Sequence, residues 1–220
     1  MSVVEVKATE RAFSDIIQKV LAHFGGPEFK GEIESGKKEF FKSFSIPEEN
    51  SHLFELRMSQ FYDWYFFSRP LSGYGQSPLW SMFQTRELRF SPEEMALVEE
   101  LKSHRHSLFE IVKIKDDSIT IKDLLKNEKL TLPSPNFAFQ HDQNEIFEAR
   151  IVPHQSYWVF SRGFCFHPEQ SRQYILSEIK RHRKDPDLNQ EELMLRLLKM
   201  NLRMDQYKHV PIENIYAETP

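Results

Sequence analysis

The chain has few of the features from which an enzyme is usually recognised. Its 220 residues include one cysteine, Cys165, which excludes an internal disulfide bond and a zinc site built from several cysteines. The motifs G-x-S-x-G, H-E-x-x-H and C-x-x-C are absent, so the catalytic and redox sites that they indicate are not predicted. Because Phe164 and Phe166 flank Cys165, we expect a buried structural cysteine rather than a nucleophile.

Long apolar segments are also absent. No run approaches the roughly 20 apolar residues that a membrane-spanning helix requires. Charged residues interrupt the first residues too early for a signal peptide. The net charge of -4 does not indicate a general affinity for nucleic acids or anionic membranes. The sequence therefore predicts a cytoplasmic protein with no membrane partner, no metal and no other cofactor.

Aromatic residues, in contrast, are abundant, and nineteen of them are phenylalanine. They are densest in residues 61–80, where eight of the twenty are aromatic, and we interpret this segment as a hydrophobic junction between helices and a sheet. The part around Arg69 and the Gly-Tyr-Gly turn at Tyr74 is predicted to stay exposed and available for binding.

The first hundred residues show the apolar spacing of helices. One helix is predicted to end at Phe24 and a second to cover residues 31–44. A third is predicted to open with a capping box between Ser45 and Glu48 and to end before Pro70. Its predicted core-facing stripe is Phe54, Met58, Phe61 and Tyr65. A further capping box, Ser91 with Glu94, predicts a helix that turns Met95, Val98 and Leu101 inward.

The spacing then changes to short, β-branched segments. Residues 108–115 and 118–123 predict a hairpin, and further strands are predicted over residues 129–132, 146–152, 157–160 and 163–166. The predicted fold is therefore α+β. It has an N-terminal helical layer (1–104), a small bent antiparallel β-sheet or partial barrel (105–167) and C-terminal helices (168–220), in a single integrated domain.

The last predicted helix opens at Asn189 and Glu192. It carries a broad apolar stripe that includes Leu193, Leu197, Met200 and Met204. A helix this apolar is either buried or contacts a partner. We therefore expect an unidentified protein partner or self-association through it.

The sequence contains an incomplete phosphate-binding pattern and an incomplete metal-binding pattern. Residues 31–38 have the glycine spacing of a phosphate-binding loop, but Lys38 stands where a hydroxyl is needed, so a solvated helix face is predicted. His104 and His106 do not complete a tetrahedral zinc site, and His141 with its acidic neighbours does not specify one either. These histidines are predicted to be surface residues.

Two groups of charged residues remain as binding candidates. Lys180, Arg181, Arg183 and Lys184 are interpreted as cations at a helix C-terminus, with a nucleic-acid-binding surface as the alternative. Glu110 and Arg150 each lie on an apolar strand face, where a charge needs a partner. We predict that they neutralise each other, together with Asp123, or alternatively that they orient a ligand.

Several short motifs, in order, resemble an uncharacterised bacterial module that often occurs in proteins with a SEC-C zinc tail. They are Asp63-Trp64-Tyr65-Phe66-Phe67-x-Arg69, Ser91-Pro92-Glu93-Glu94, Phe109-Glu110-Ile111, Asp123-Leu124-Leu125-x-x-Glu128 and Ala149-Arg150-Ile151-Val152-Pro153. The resemblance covers residues 61–170. It implies a mixed helical and small-sheet module and no activity. Because the SEC-C cysteines are missing, it implies no zinc.

Three functions are consistent with the sequence. The first is a non-enzymatic protein-binding or adaptor module. The second is a nucleic-acid binder that uses the small sheet and the basic residues 180–184. The third is an enzyme with a pocket at the helix–sheet junction, lined by Arg69, Glu110, Asp123 and Arg150.

Overall fold

The structure is a computed structural model, and it describes residues 3–42, 46–51, 53–133, 141–185 and 187–217. It divides into two compact units. The first unit comprises Met1–Arg105 and Ile151–Gly163, and the second comprises His106–Arg150 and Phe164–Pro220. No helix in the described ranges has the length and apolar character needed to cross a membrane.

The helices of the first unit pack around an aromatic core. They are α1 (Val3–Phe24), α2 (Lys30–Phe41), α3 (Phe54–Phe67), α4 (Pro78–Ser81) and α5 (Pro92–Lys102). Three members of the predicted stripe of α3, Met58, Phe61 and Tyr65, are buried, whereas the fourth, Phe54, is partly exposed. The ring of Phe61 lies 5.6 Å from that of Phe40 on α2, so aromatic contacts join these two helices.

The predicted start of α3 was wrong. Ser45 lies outside the described residues, and Glu48 belongs to a turn in which its carbonyl accepts a 2.8 Å hydrogen bond from the N–H of Ser51. The hydroxyl of Ser51 then accepts a bond from the N–H of Leu53. Residues 48–51 are all polar and offer no apolar side chain to the core. They form this turn, and the helix begins after them. The predicted Phe44 end of the second helix also lies outside the described residues.

The capping box of α5 is confirmed by reciprocal hydrogen bonds between Ser91 and Glu94. Val98 and Leu101 are buried as predicted, but Met95 is 37% exposed, so its inward orientation was wrong. At about 100° per residue, Met95 lies about 20° from Lys102 and about 120° from Leu101 around the helix axis, so it is at the edge of the buried face.

The strands form an antiparallel sheet that is curled into a half-barrel. They are β1 (Arg105–Ile114), β2 (Ser118–Asp123), β3 (Glu128–Pro133), β4 (Ile146–His154), β5 (Tyr157–Phe160) and β6 (Cys165–His167). The strand order is β3-β2-β1-β4-β5, and β6 pairs with the first residues of β4. The register of β1 and β2 shifts between Ile111 and Lys113, an irregularity of the kind that bends a strand and increases its twist.

The second unit also contains α6 (Arg172–Lys184), α7 (Gln190–Gln206) and α8 (Ile212–Ala217). The helix predicted to be the last is α7, and α8 corrects that prediction. Leu193, Leu197 and Met200 of α7 are buried in the core of this unit. The apolar stripe is therefore explained by internal packing. The α+β prediction of N-terminal helices, a bent sheet and C-terminal helices is confirmed, whereas the single integrated domain stays a prediction.

Candidate functional site

Four charged side chains meet inside the second unit. His106 lies on β1, Glu148 and Arg150 lie on β4, and Glu191 lies in the first turn of α7. Glu148 and Arg150 share one face of β4 because they are two residues apart. The side chain of Asn189 caps α7 by accepting a 2.9 Å bond from the N–H of Glu191. We call these four residues the Glu191 cluster.

Glu191 is the centre of the cluster. One of its oxygens, Oε1, lies 2.9 Å from Nδ1 of His106, and the other, Oε2, accepts a 3.1 Å bond from Nη2 of Arg150. The second ring nitrogen of His106, Nε2, lies 2.9 Å from Oε1 of Glu148. The Arg150 side chain is 1% exposed and that of Glu191 is 45% exposed. The cluster is therefore buried at Arg150 and reaches solvent at Glu191.

The carboxyl groups of the cluster have opposite pKa shifts. Burial raises the pKa of Glu148 above its usual range, against the lowering effect of His106 and Arg150. Burial also acts to raise the pKa of Glu191, but His106 and Arg150 outweigh it and hold that pKa far below its usual range. Glu191 is therefore a stable carboxylate, and Glu148 is a carboxyl group that binds a proton readily.

His106 lies between these two carboxyl groups. Burial and the charge of Arg150 act to lower its pKa, but the hydrogen bonds to Glu148 and Glu191 outweigh them and raise it. The second oxygen of Glu148, Oε2, is buried and has no hydrogen-bond partner within the described ranges. No group of three or more metal-ligating side chains that could hold an ion occurs among the described residues.

The predicted pairing of Glu110 with Arg150 was wrong. Glu110 pairs with Arg172 at the start of α6, and Arg150 pairs with Glu191. Asp123 accepts a 2.7 Å bond from the hydroxyl of Ser107 and also caps the turn after β2. Each buried charge has a partner, as predicted, but the partners of Glu110 and Arg150 come from helices that are distant in the sequence.

The predicted exposure of Arg69 was also wrong. Arg69 is 5% exposed, and it donates hydrogen bonds to Glu32 at 2.8 Å and to Glu39 at 2.9 Å. Tyr74 is half-buried, with its ring edge-to-face against Phe24 at 5.7 Å. These contacts give Arg69 a role in joining α2 to α3. Residues 31–38 lie in α2, as predicted, but the face that they form is not wholly solvated, because Gly36 is buried and Glu32 bonds to Arg69.

The basic residues 180–184 occupy the end of α6, as predicted. Arg181 pairs with Glu178 at 2.8 Å, and Arg183 donates to the carbonyl groups of Leu124 and Leu125. Lys180 and Lys184 are exposed. Part of this basic segment is therefore used in contacts within the chain, and its nucleic-acid-binding role stays a prediction.

The predictions for the histidines and for the cysteine were confirmed only in part. The side chain of His106 is 9% exposed, so its prediction as a surface residue was wrong. Nδ1 of His104 lies 2.9 Å from the carbonyl oxygen of Leu101. The ring of His141 stacks on Phe166 with their centroids 3.5 Å apart. Cys165 is buried, which confirms its predicted environment.

An exposed aromatic surface lies on the first unit. Trp80 is 40% and Phe83 is 42% exposed, and the amino group of Lys102 lies 5.7 Å and 4.9 Å from their ring centroids. Lys102 also bonds to Glu99 at 2.7 Å, and Met95 lies on the same face of α5. We call these five residues the Trp80 surface.

Sequence reasoning included Trp80 in the aromatic segment but missed Phe83 and Lys102. The sequence signal for the exposed residues is the position of each apolar residue around the helix axis of α4 and the turn that follows it. Leu79 and Met82 are buried, whereas Trp80 and Phe83, each one position later and about 100° further around the helix axis, are exposed. The arrangement can bind an apolar group against two rings and a carboxylate against Lys102.

Comparisons with known proteins give a family and no activity. A family model described as a family of unknown function (DUF7986) matches residues 35–195, which is more than half of the chain. This range contains the segment of the predicted resemblance, and it carries no link to SEC-C proteins. Neither the curated proteins nor the solved structures include a significant match.

Proposed function

The chain belongs to the family of unknown function DUF7986, and we propose that it is a non-enzymatic protein-binding module. The observation that carries this proposal is the Trp80 surface. It presents two large rings and a cation together, and none of the three is buried. Trp is enriched at binding hot spots, and clustered exposed aromatic residues are unusual on a surface without a partner.

The chemistry of this surface favours one kind of partner. Its rings favour an apolar side chain, and the amino group of Lys102 beside them favours a neighbouring carboxylate. We therefore propose that the partner is a protein segment in which one or two large apolar residues are flanked by Asp or Glu. The apolar stripe of α7, on which the expected partner depended, is buried in the core of the second unit. The proposal therefore rests on the Trp80 surface.

The proposal is tested with synthetic peptides of this composition. Fluorescent peptides with a Leu-Phe centre and flanking Glu residues are titrated with the protein, in parallel with peptides that carry Lys flanks. We expect the acidic peptides to bind at least about tenfold more tightly, and Trp80→Ala or Phe83→Ala to weaken that binding by a similar factor. Lys102→Glu should reverse the preference for flanking charge.

A matched control is Leu56→Ala, because Leu56 is an exposed apolar residue of the same unit, 39% exposed on α3. Equal losses in Leu56→Ala and Trp80→Ala, or no preference for acidic flanks, would contradict the proposal. Concentration-dependent dimers that disappear in Trp80→Ala would assign the surface to a second copy of the chain instead. Salt-dependent RNA or DNA binding that Lys180→Glu and Lys184→Glu abolish would favour the nucleic-acid alternative.

A further inference from the structure

The contacts of His106 require more protons than a neutral imidazole carries. Glu191 is held as a carboxylate by Arg150 and can only accept hydrogen bonds, so Nδ1 of His106 must donate to it. In a neutral imidazole Nε2 would then be an acceptor. It faces Oε1 of Glu148 at 2.9 Å, and two acceptors at this distance repel each other unless a proton lies between them.

We propose that the His106–Glu148 pair is a proton-binding site, and that its proton holds the first turn of α7 against strands β1 and β4. The proton resides on Nε2 of His106, as an imidazolium, or on Oε1 of Glu148, as a carboxylic acid. Both forms give the same hydrogen bond and the same total charge. The site goes beyond the protein-binding role, since it lies in the second unit and shares no residue with the Trp80 surface.

The charged and titratable groups around the His106–Glu148 pair favour one bound proton on the pair. On β4, Arg150 supplies a positive charge that opposes an imidazolium, and on α7 Glu191 supplies a negative charge that favours one. On β6, Cys165 lies opposite Glu148 in the strand register. On α8, the hydroxyl of Tyr216 is near enough to Cys165 and Glu148 for its own pKa to be raised, after the larger effect of burial.

The pair is connected to α7 through two consecutive residues. Glu191 bridges His106 and Arg150 with its side chain, and the amide group of Gln190 donates to the carbonyl oxygen of His106. Both residues belong to the first turn of α7. When the proton leaves, Nδ1 of His106 can still donate to Glu191, but Nε2 then faces the Glu148 carboxylate without a hydrogen. The ring must rotate or the carboxylate must move, and either movement weakens the attachment of α7.

The direction of the pH effect follows from the folded and unfolded states. In an unfolded chain the imidazole loses its proton near pH 6.5. The folded cluster holds its proton to a higher pH, because the pKa of His106 is raised. The stabilisation is therefore complete below about pH 6.5 and is lost as the pH rises through the folded value. We expect the first turn of α7 to open more often in alkaline than in neutral solution.

Two measurements on the full chain test this site. Nitrogen chemical shifts of the His106 ring report whether both nitrogens carry hydrogen at pH 6, and whether one is lost above the ordinary histidine range. Hydrogen exchange of the amides of residues 193–197, corrected for the intrinsic pH dependence of exchange, reports the opening of α7. We expect protection to fall about tenfold or more between pH 6 and pH 9.

The informative variant is Glu148→Gln, because a Gln amide can donate to Nε2 of a neutral imidazole without an additional proton. We expect α7 in this variant to be protected nearly equally at pH 6 and pH 9. Glu213→Gln, which removes an exposed carboxylate from α8, should keep the pH dependence of the unaltered chain.

Two results would overturn the proposal. One is a His106 ring with a single hydrogen at pH 6 and Glu148 ionised. The other is an equal loss of α7 protection with pH in the unaltered chain and in Glu148→Gln. If Glu148→Gln does not fold, the ring-nitrogen shifts of His106 and the carboxyl carbon shift of Glu148, both measured on the unaltered chain, still decide the question.

Discussion

Single residues set how closely the helices of the first unit approach. Gly36 on α2 lies against α3, where a Cβ atom at this position would be 2.9 Å from Cδ2 of Tyr65 and 3.3 Å from Cδ of Arg69. The missing side chain lets α2 come near enough for Glu32 and Glu39 to bond to Arg69. A buried Arg is tolerated here because two carboxylates compensate it.

Gly36→Ala should therefore destabilise the protein even though alanine is the better helix former. The gain in helix propensity is up to about 1 kcal/mol, and overpacking against Tyr65 typically costs about 1–3 kcal/mol. We expect a net loss of about 1 kcal/mol in the free energy of unfolding in urea. Gly31→Ala on the same helix is the control, since its Cβ would meet nothing within 4 Å. It should be neutral or stabilising, and an equal loss in both variants would contradict the close-approach argument.

The residue scale also limits what the sequence predicts. Strand alternation identified Arg150 and Glu110 as charges that need partners, because that inference uses only local spacing. The partners Glu191 and Arg172 lie 41 and 62 residues away along the chain, and no periodicity relates positions so far apart. The same alternation places Glu148 beside Arg150, so this member of the cluster was within reach of the sequence but was missed.

At the scale of elements, a capping pattern in the sequence does not ensure that the side chain caps the helix. Ser91 and Ser77 both precede a proline at the start of a helix. The hydroxyl of Ser91 accepts a 3.2 Å bond from the N–H of Glu94, whereas Ser77 makes no capping bond and its hydroxyl is buried without a partner in the described part of the chain. The two sites look alike in the sequence, because a Ser-Pro pattern does not show how the surrounding turn packs.

This difference predicts unequal effects of the same substitution. Ser91→Ala should lower the free energy of unfolding by about 1 kcal/mol, because the N–H of Glu94 loses its acceptor. Ser77→Ala should be neutral or slightly stabilising, because it removes an unpaired buried hydroxyl. Thermal and urea unfolding of both variants measure the difference, and a larger loss in Ser77→Ala would contradict the assignment of the two caps.

At the scale of the whole molecule, the chain crosses between the two units three times. The crossings fall between residues 105 and 106, 150 and 151, and 163 and 164. The first two lie within strands β1 and β4, and no Gly/Pro-rich linker separates the units there. Periodicity predicted each of the six described strands. The division of the strands between the units depends on contacts between distant segments, which periodicity does not encode.

Strands that belong to both units favour a single cooperative unfolding transition, because one half of a strand cannot lose its pairing without disturbing the other half. The three tryptophans, Trp64, Trp80 and Trp158, all lie in the first unit, so their fluorescence reports on that unit alone. Far-ultraviolet circular dichroism reports on the helices of both units. We expect the two urea curves to coincide. A second dichroism transition after the fluorescence change is complete would show that the units unfold separately and would contradict the prediction of one integrated domain.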